Sequence, residues 1–579
     1  MKAIHKIAFW TSLVGIVAII SDFGFTLPEI IKQSIYDFYF PILAIGVIST
    51  CYRYIKKIRI IRIKKAFAFD LLTILFTVFL FYIHLFNRNS FAQHPILTLT
   101  IWIELAVFLS FIREFSSIKI NYKRTVLNPA QLFVISFLVI IIFGALLLML
   151  PNATHNGISF LDALFTATSA VCVTGLIVVD TSTYFTEIGH VIIMVLIQIG
   201  GLGILTFASY FGYFFKGGSS YENQLVLGDM VSSKKLGEVF SILKYILLIT
   251  FGIEFFAGLF IFFSLDSQYF NSLYDQLFFS AFHSISAFCN AGFSTMTNGL
   301  YETEFRFNYF LQMIIILTFV LGGLGFPITV NIVTYIKYRV RKLFSFGKNK
   351  VAYRPWALNL NSRITLITTI SLSVIAFLAF YIIEYNNTLA EHQGIGKVVT
   401  ALFGATTPRT AGFNTINTAE MLFPTTILIL FLMWVGASPS STGGGIKTST
   451  LAIATLNILS LAKGKSRIEV FKREIAEISV RRAFATISLS LIVIGLGIVL
   501  LTIFDSKNDL MSIAFECFSA YSTVGLSLGI TGSLSDASKF VLIAIMFIGR
   551  VSVLTIVIAI FKKIKHQNYR YPTEEITIN

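Results

Sequence analysis

The chain has 579 residues, of which 56% are hydrophobic and only 13% are charged, with a mean hydropathy of +0.80. Soluble domains carry roughly 25% charged residues, so this composition excludes a soluble globular protein. The net charge of +16 does not indicate nucleic-acid binding, because the basic residues lie in short clusters between apolar runs and no basic-aromatic module accompanies them.

Four apolar segments precede residue 128, and we interpret residues 1–127 as an N-terminal transmembrane extension. The predicted helices lie at 8–25, 38–49, 66–86 and 96–111, and the segment 38–49 is the weakest of them. The first segment follows Lys2 and Lys6 and resembles a signal peptide, but it has no small-x-small cleavage site and more spans follow it. We therefore expect a retained membrane helix.

A short glycine motif then occurs four times along the chain. The last copy, at 522–529, reads STVGLSLG and resembles the start of a potassium-channel filter, in which backbone carbonyls replace the water around a cation. Such a filter needs a ring of about four strands, so the four copies predict one pore built by a single chain. The candidate filter residues are Val173, Thr174, Gly175, Asn290, Ala291, Gly292, Thr410, Ala411, Gly412, Thr523, Val524 and Gly525.

The residues around the four glycines are in phase. Successive filter glycines are separated by 117, 120 and 113 residues. The flanking matches ten residues upstream are Phe165, Phe282, Leu402 and Phe515, and those five and six residues upstream are Ser169-Ala170, Ser286-Ala287, Thr406-Thr407 and Ser519-Ala520. A further glycine follows in each downstream span, at Gly200, Gly322, Gly436 and Gly549. Four copies with the same flanks indicate a true internal repeat.

Each copy predicts an outer helix, a short pore helix, a filter strand and an inner helix. The fold class is therefore an all-α polytopic membrane protein with four such repeats in pseudo-fourfold arrangement around one pore. The repeats are placed at 128–216, 239–340, 363–462 and 482–562, followed by a tail at 563–579. The outer helices are predicted at 131–150, 239–263, 364–383 and 482–503, and the inner helices at 191–215, 310–335, 425–461 and 540–561, with only the third inner helix interrupted.

Charge asymmetry sets the orientation. Lysine or arginine occurs in every loop that joins an inner helix to the next outer helix, and the second and third of these loops and the stretches at 51–65 and 118–124 are strongly basic. Basic loops face the cytoplasm in polytopic proteins. We therefore expect both termini inside the cell and the pore helices entering from outside.

The third inner span contains the sequence GASPSSTGGGIKTST, which should unwind within the protein. Proline removes a helical hydrogen bond and glycine weakens a helix further. A phosphate-binding loop is excluded, because the lysine does not directly follow a glycine and no strand precedes the motif. The segment is either a gating loop or a kink for packing, and its candidate gating residues are Gly436, Ser438, Pro439, Gly443, Gly444, Gly445 and Lys447.

Arg550 lies near the middle of the last apolar span, where a charge is costly and normally faces a cavity or a partner. It is either part of the gate or a partner for carbonyls that a broken helix leaves free. Four other polar residues lie near the predicted pore. Asp162, Asp275 and Glu516 could concentrate cations or cap and pack helices, and His283 is interpreted as a satisfied buried histidine.

Other function classes lack support in the sequence. The four cysteines have no paired spacing for zinc or disulfides, and no catalytic cluster of His, Asp, Glu, Ser or Cys is visible at bilayer level. We therefore expect neither an enzyme nor a cofactor. A secondary transporter with broken helices would show two related halves rather than four tandem copies.

The chain resembles the Trk/Ktr/HKT potassium-transporter superfamily, in particular its prokaryotic Ktr/Trk membrane subunits. The segments ATSAVCVTGLIVVD, CNAGFST, TPRTAGFNT and YSTVGLSLG match the four filters, and GASPSSTGGGIKTST matches the broken third inner helix, within residues 128–562. The resemblance implies potassium bound at Gly175, Gly292, Gly412 and Gly525 as the transported ion. Glycine rather than serine at 175 favours potassium over sodium.

The resemblance also implies a bacterial inner-membrane location, a homodimer, and a separate cytosolic ring of nucleotide-binding RCK subunits that docks on the basic loops and tail. Three of the four strands end soon after their glycine in bulky or polar residues, which predicts a shorter filter and weaker discrimination against sodium. The alternative is a sodium- or proton-coupled cation transporter with lower potassium selectivity.

Overall fold

The computed structural model describes residues 2–56, 64–86, 100–117, 129–203, 239–344 and 358–561, together with residues 572 and 574. Within these ranges the chain is almost entirely helical, which confirms the predicted all-α class. The two strands that it contains, β1 (Glu469–Val470) and β2 (Arg473–Glu474), form a small antiparallel hairpin. Six helices are long and apolar enough to cross a membrane, and two further pairs are spans bent at a break.

Four helices precede the first repeat: α1 (Lys2–Gly24), α2 (Glu29–Lys56), α3 (Lys64–Phe86) and α4 (Ile101–Ser117). The segment predicted as 38–49 is the longest of the four, because α2 continues through polar residues at its start and through Pro41. Tyr39, Leu43 and Val107 belong to the buried core that holds these helices together. The third helix begins two residues before its predicted start and ends as predicted, whereas α1 begins six residues early and α4 ends six residues late. Residues 96–99 of the fourth predicted helix lie outside the described residues.

A buried network of charges joins α2, α3 and α4. Arg53 donates to Glu114 at 2.7 Å, and Arg113 donates to Asp70 at 2.6 Å. The Tyr54 hydroxyl also donates to Asp70. All four charged side chains are almost inaccessible to solvent. A charge buried in an apolar bundle is tolerated only with a partner, so each arginine fixes the relative position of two helices.

The four repeats follow the predicted order. The outer helices are Pro129–Leu148, Val239–Ser264, Leu360–Ile383 and Glu477–Phe504. The pore helices are Phe160–Cys172, Leu273–Cys289, Ile395–Thr406 and Leu510–Ser522. The inner helices begin at Glu187, Tyr309, Phe423 and Asp536. Short helical turns connect them at Pro151–Ala153, Thr181–Tyr184, Ser267–Tyr269, Gly299–Tyr301, Thr418–Glu420 and Thr531–Ser533.

Three of the pore helices begin at side-chain caps. Ser159 accepts the backbone N–H of Asp162 at 3.1 Å, and Ser272 accepts that of Asp275 at the same distance. Asp509 accepts the N–H of Met511 at 3.0 Å. These bonds satisfy donors that the first turn of a helix leaves free. The Asp162 carboxylate accepts the hydroxyl of Ser159 at 2.8 Å, in agreement with the capping reading, whereas Asp275 contributes its backbone N–H to the cap.

The prediction that only the third inner helix is interrupted is wrong. Inner helix 1 ends at Leu202, inner helix 2 bends by 106° between Gly323 and Phe326, and inner helix 4 bends by 87° at Ser552. The backbone has a positive φ at each break, with 76° at Gly203, 79° at Gly325 and 75° at Ser552. The third inner helix is divided into Phe423–Trp434 and Thr448–Ala462. The part of inner helix 1 predicted at 204–215 lies outside the described residues.

The charge network generates a prediction about stability. Glu114→Gln removes the carboxylate that balances Arg53, and breaking a buried pair in this way should lower the free energy of unfolding by about 3 kcal/mol. Thermal unfolding of the purified protein in detergent measures the effect. Glu469→Gln is the matched control, because its pair with Lys465 is more than half exposed and should contribute little. Equal melting temperatures for the two variants would contradict the network's structural role.

Candidate functional site: the central ion pathway

The four filter segments share an unusual backbone. In each copy, the residue two positions before the glycine and the glycine itself have positive φ angles, while the residue between them does not. The values are 58° and 90° for Val173 and Gly175, and 50° and 92° for Thr523 and Gly525. This alternation turns successive carbonyls towards the same side, unlike a regular strand. The geometry is that of a row of oxygens facing a cation.

The four segments form a closed ring. A Cβ atom built on each filter glycine would overlap the carbonyl oxygen that precedes the glycine of the next repeat. Gly175 faces Ala291, Gly292 faces Ala411, Gly412 faces Val524, and Gly525 faces Thr174. The contacts therefore run from repeat 1 to 2, 3 and 4 and back to 1. All twelve predicted filter residues lie in this ring.

Glycine is required at these four positions for two separate reasons. A positive φ disfavours any residue with a Cβ, and the space for that Cβ is already occupied by backbone oxygen from the next repeat. Backbone atoms cannot move aside as the end of a flexible side chain can. A side chain here would therefore push two neighbouring strands apart.

Hydroxyl groups of the pore helices hold the strands from behind, as their recurrence in the sequence suggests. Ser169 accepts the N–H of Gly175 at 3.1 Å, and Ser519 accepts that of Gly525 at the same distance. Ser286 donates to the carbonyl of Phe293 at 2.8 Å. Each strand is thus tied to its own pore helix.

Repeat 3 is displaced by one residue relative to the other three. The hydroxyl that donates to the filter carbonyl of Phe413 belongs to Thr407, five residues before the glycine rather than six. Likewise, Phe403 and not the predicted Leu402 is the fully buried pore-helix residue. The pore helix ends at Thr406, so that Pro408 falls beyond its last turn.

Arg409 in this repeat was not identified from the sequence. Its guanidinium donates to the carbonyl of Thr369 at 3.3 Å and to the hydroxyl of Ser373 at 3.1 Å, both on outer helix 3. It also lines a small cavity of about 40 Å³ against Phe319 on inner helix 2. The hydrogen bonds secure the displaced end of pore helix 3.

A cavity of about 210 Å³ opens at the end of the ring where the strands leave the glycines. All four filter glycines line it, together with polar residues of the loops that follow, among them Asp180, Ser294, Asn414 and Ser527. Of these described lining residues, Asp180 alone carries a charge. The repeat pattern did not indicate Asp180, although its position five residues after Gly175 places it near the mouth of the filter.

The carboxylates considered for cation attraction do not line this cavity. Asp162 pairs with Lys539 at 2.7 Å, which joins repeats 1 and 4. Glu516 is completely buried and accepts hydrogen bonds from the hydroxyls of Ser527 and Thr531. His283 is also completely buried with both ring nitrogens bonded, in agreement with the interpretation of a satisfied histidine.

The interrupted part of inner helix 3 lies against the opposite end of the ring. Gly443 approaches Thr410, and Gly444 approaches Ser522 and Thr523, at the start of filter strands 3 and 4. The loop returns on itself through a bond from the N–H of Ile446 to the carbonyl of Trp434 at 3.1 Å. We call residues 435–447 the intramembrane loop.

The intramembrane loop also contacts the break of inner helix 2. The N–H of Ser438 donates to Gly323 at 3.0 Å, and the N–H of Phe326 donates to the carbonyl of Ser440 at 3.3 Å. Gly325 leaves room for the carbonyl of Pro439, and Gly436 for that of Gly444. Irregular backbone at membrane depth needs such partners, and here two broken helices supply them to each other.

Two basic side chains, Arg550 and Lys447, bond backbone carbonyls of the intramembrane loop. Arg550 donates through Nη1 to the carbonyl of Thr442 and through Nη2 to that of Gly200 at 2.5 Å. Lys447 donates to the carbonyls of Gly443, at 2.5 Å, and Gly444, at 3.2 Å. Arg550 therefore joins the loop of repeat 3 to the helix end of repeat 1. It has the contacts expected of a partner for free carbonyls, and it also holds the loop in place.

Comparison with known proteins shows which family this chain belongs to. A family profile described as "TrkH: Cation transport protein" matches residues 95–570. The chain belongs to the TrkH family of cation transport proteins. It is thus a multi-pass membrane transporter and not an enzyme.

Two relatives and one solved structure illustrate the similarity. The chain is 38% identical to the "Ktr system potassium uptake protein B" of Bacillus subtilis, over 78% of this chain and 96% of the relative. It is 35% identical to the "Potassium/sodium uptake protein NtpJ" of Enterococcus hirae, over 79% and 98%. The crystal structure of the potassium transporter TrkH from Vibrio parahaemolyticus has the same fold, with a TM-score of 0.57, 19% identity, and coverage of 86% of this chain and 97% of that one.

The ring generates a prediction about glycine. Gly175→Ala should strongly reduce potassium uptake, because the added methyl group displaces the carbonyl of Ala291. Gly157→Ala is the matched control, since its φ of 76° imposes similar backbone strain, about 1–2 kcal/mol, while nothing lies within 4 Å of the added atom. Initial ⁸⁶Rb⁺ uptake into proteoliposomes compares the two. Normal uptake by Gly175→Ala would show that the ring is not the ion pathway.

Proposed function

We propose that this protein takes up potassium across the bacterial plasma membrane through the ring of four filter strands. The observation that carries the proposal is the closed cycle of glycine and carbonyl contacts, which places backbone oxygens of all four repeats around one axis. Such a ring replaces the hydration shell of a monovalent cation. Potassium is further supported by the names of the relatives from Bacillus subtilis and Enterococcus hirae, although the latter name includes sodium.

The first experiment tests transport itself. Proteoliposomes loaded with potassium should accumulate ⁸⁶Rb⁺ down the electrical gradient, and external potassium should inhibit this uptake more strongly than sodium does. Uptake should need neither a sodium nor a pH gradient, because a pore conducts passively. A requirement for either gradient would favour the coupled transporter, and equal inhibition by sodium and potassium would contradict potassium selectivity.

We propose in addition that the intramembrane loop and Arg550 form the gate. The loop covers the start of two filter strands, and Arg550 places a positive charge beside the path that a cation would take. Its two bonds to carbonyls hold the loop in the closed position. A hydrogen bond to a charged group contributes about 1.5–3 kcal/mol, so loss of Arg550 should favour the open loop substantially.

The gate proposal predicts a gain of flux. Arg550→Ala, or removal of Gly443 and Gly444 from the loop, should raise ⁸⁶Rb⁺ uptake about tenfold, the effect of about 1.4 kcal/mol on the closed state. The double variant should gain no more than the better single variant, since the two elements act together. Arg550→Lys separates the effect of the positive charge from that of the two hydrogen bonds, because lysine retains the charge but cannot bond both carbonyls as a planar guanidinium does. Wild-type flux in folded single variants would contradict the gate.

The remaining parts of the proposal concern location and partners. The basic clusters between spans support cytoplasmic loops and two cytoplasmic termini in the bacterial inner membrane. We also propose that the protein acts as a homodimer with a cytosolic nucleotide-binding ring of the RCK type. The name of the Bacillus subtilis relative, which refers to a Ktr system, supports a partner of this kind.

A further inference from the structure

Two pore helices hold the outer mouth of the filter in the same way. Nine residues before the filter glycine, His283 and Glu516 each bond the serine that lies two residues after it. The distance from His283 Nε2 to the Ser294 hydroxyl is 2.9 Å, and Glu516 accepts the hydroxyl of Ser527. Repeats 2 and 4 thus share a link that bridges the whole length of the filter turn.

The two serines are held identically from the other side. The Ser294 oxygen accepts the N–H of Met296 at 3.1 Å, and the Ser527 oxygen accepts the N–H of Gly529 at 2.8 Å. In both repeats the donating N–H belongs to the second residue after the serine, and this hydrogen bond closes a local turn. The same three-part arrangement therefore occurs twice.

The direction of each bond follows from the chemistry of its partners. His283 Nδ1 lies 2.9 Å from the carbonyl of Phe279, which can only accept, so Nδ1 carries the proton. In the neutral imidazole Nε2 then accepts the hydroxyl of Ser294. Glu516 likewise accepts the hydroxyl of Ser527. Both serine protons point into the protein, and neither is directed at a cation in the mouth.

Repeats 1 and 3 lack this link. Thr166 occupies the position nine residues before the glycine in repeat 1, but its hydroxyl donates to Asp162 in its own helix, and Ile177 replaces the serine. In repeat 3, whose pore helix is displaced by one residue, the corresponding position falls on Gly404 and the serine is replaced by Asn414. The ring order places repeats 2 and 4 opposite each other, so the linked strands face one another across the pore.

Glu516 extends the link to the neighbouring loops. Its second oxygen accepts the hydroxyl of Thr531 at 3.0 Å, and the carbonyl of Ser527 accepts the hydroxyl of Thr418, from repeat 3, at 2.6 Å. His283 is enclosed by the rings of Phe279, Phe282 and Phe413. Neither side chain is exposed to solvent, so neither binds the ion directly.

We propose that His283 and Glu516 are positioning residues for ion selectivity, which act by fixing Ser294 and Ser527 on opposite sides of the filter mouth. This inference rests on the proposed potassium uptake. Sodium is the smaller ion, and carbonyl oxygens must move inward to coordinate it. Two opposed strands tied to their pore helices resist that movement, whereas the potassium-sized ring is already formed.

The test compares the ratio of initial ²²Na⁺ to ⁸⁶Rb⁺ uptake in proteoliposomes. Ser294→Ala and Ser527→Ala remove one oxygen each, and each should raise the ratio at least about threefold, as expected for the loss of one hydrogen bond. His283→Phe retains the ring stacked on Phe279 but loses Nε2, and should have the same effect. Glu516→Leu removes the acceptor of the Ser527 hydroxyl and should raise the ratio. Glu516→Gln keeps one acceptor oxygen, and its ratio should stay close to that of the wild type.

Thr166→Val is the matched control, because it alters the equivalent residue of repeat 1 and should leave the ratio unchanged. The double variant His283→Phe with Ser294→Ala should be no worse than the stronger single variant, since both act through one bond. If Ser294→Ala and Ser527→Ala both keep the wild-type ratio, the inference is wrong, and this outcome does not depend on whether His283→Phe folds. Wild-type liposomes without any ⁸⁶Rb⁺ uptake would instead overturn the proposed function, and this inference with it.

Discussion

Each filter glycine leaves space for a carbonyl oxygen of the next repeat, and the rest of the structure is arranged around this contact. A positive φ and a missing Cβ allow the strand to turn its oxygens inward, and the cyclic order of contacts makes every strand depend on its neighbour. The pore helices also keep the strands in this arrangement. Their hydroxyl groups bond the strands from behind. Four copies in phase are therefore a condition for a closed ring.

Below the ring, inner helix 1 ends at Leu202, and the other three inner helices are broken within the described residues. A break at membrane depth frees carbonyl oxygens that lipid cannot satisfy. Here the freed groups of Gly200 and Thr442 are taken up by one guanidinium, and those of Gly443 and Gly444 by Lys447. The breaks also let the intramembrane loop reach the filter strands. Two basic side chains, Arg550 and Lys447, thus support the backbone directly below the filter.

The sequence predicted the four repeats, the filter residues and the loop because each depends on local chemistry that recurs in phase. It did not predict the breaks at Gly203, Gly325 and Ser552, since isolated glycines are tolerated inside apolar helices and serine has no special propensity for a positive φ. The displacement of repeat 3 was not predicted, because aligning the four repeats on their glycines assumes the same number of residues between pore helix and glycine in each. The links from His283 and Glu516 were hidden for a further reason: they join residues eleven apart across a turn, and only the folded backbone brings them together.

Arg550 occurs in one repeat only, at the position that Gly201, Gly323 and Ala437 occupy in the others. In a pore assembled from four identical subunits, the same substitution would place four guanidinium groups around one axis, where mutual repulsion and burial would prevent folding or block every ion. Joining the repeats in one gene removes this restriction, because each quarter can change alone. The protein can thus combine a nearly fourfold ring of filter strands with one asymmetric contact below it, the single guanidinium that joins Thr442 to Gly200.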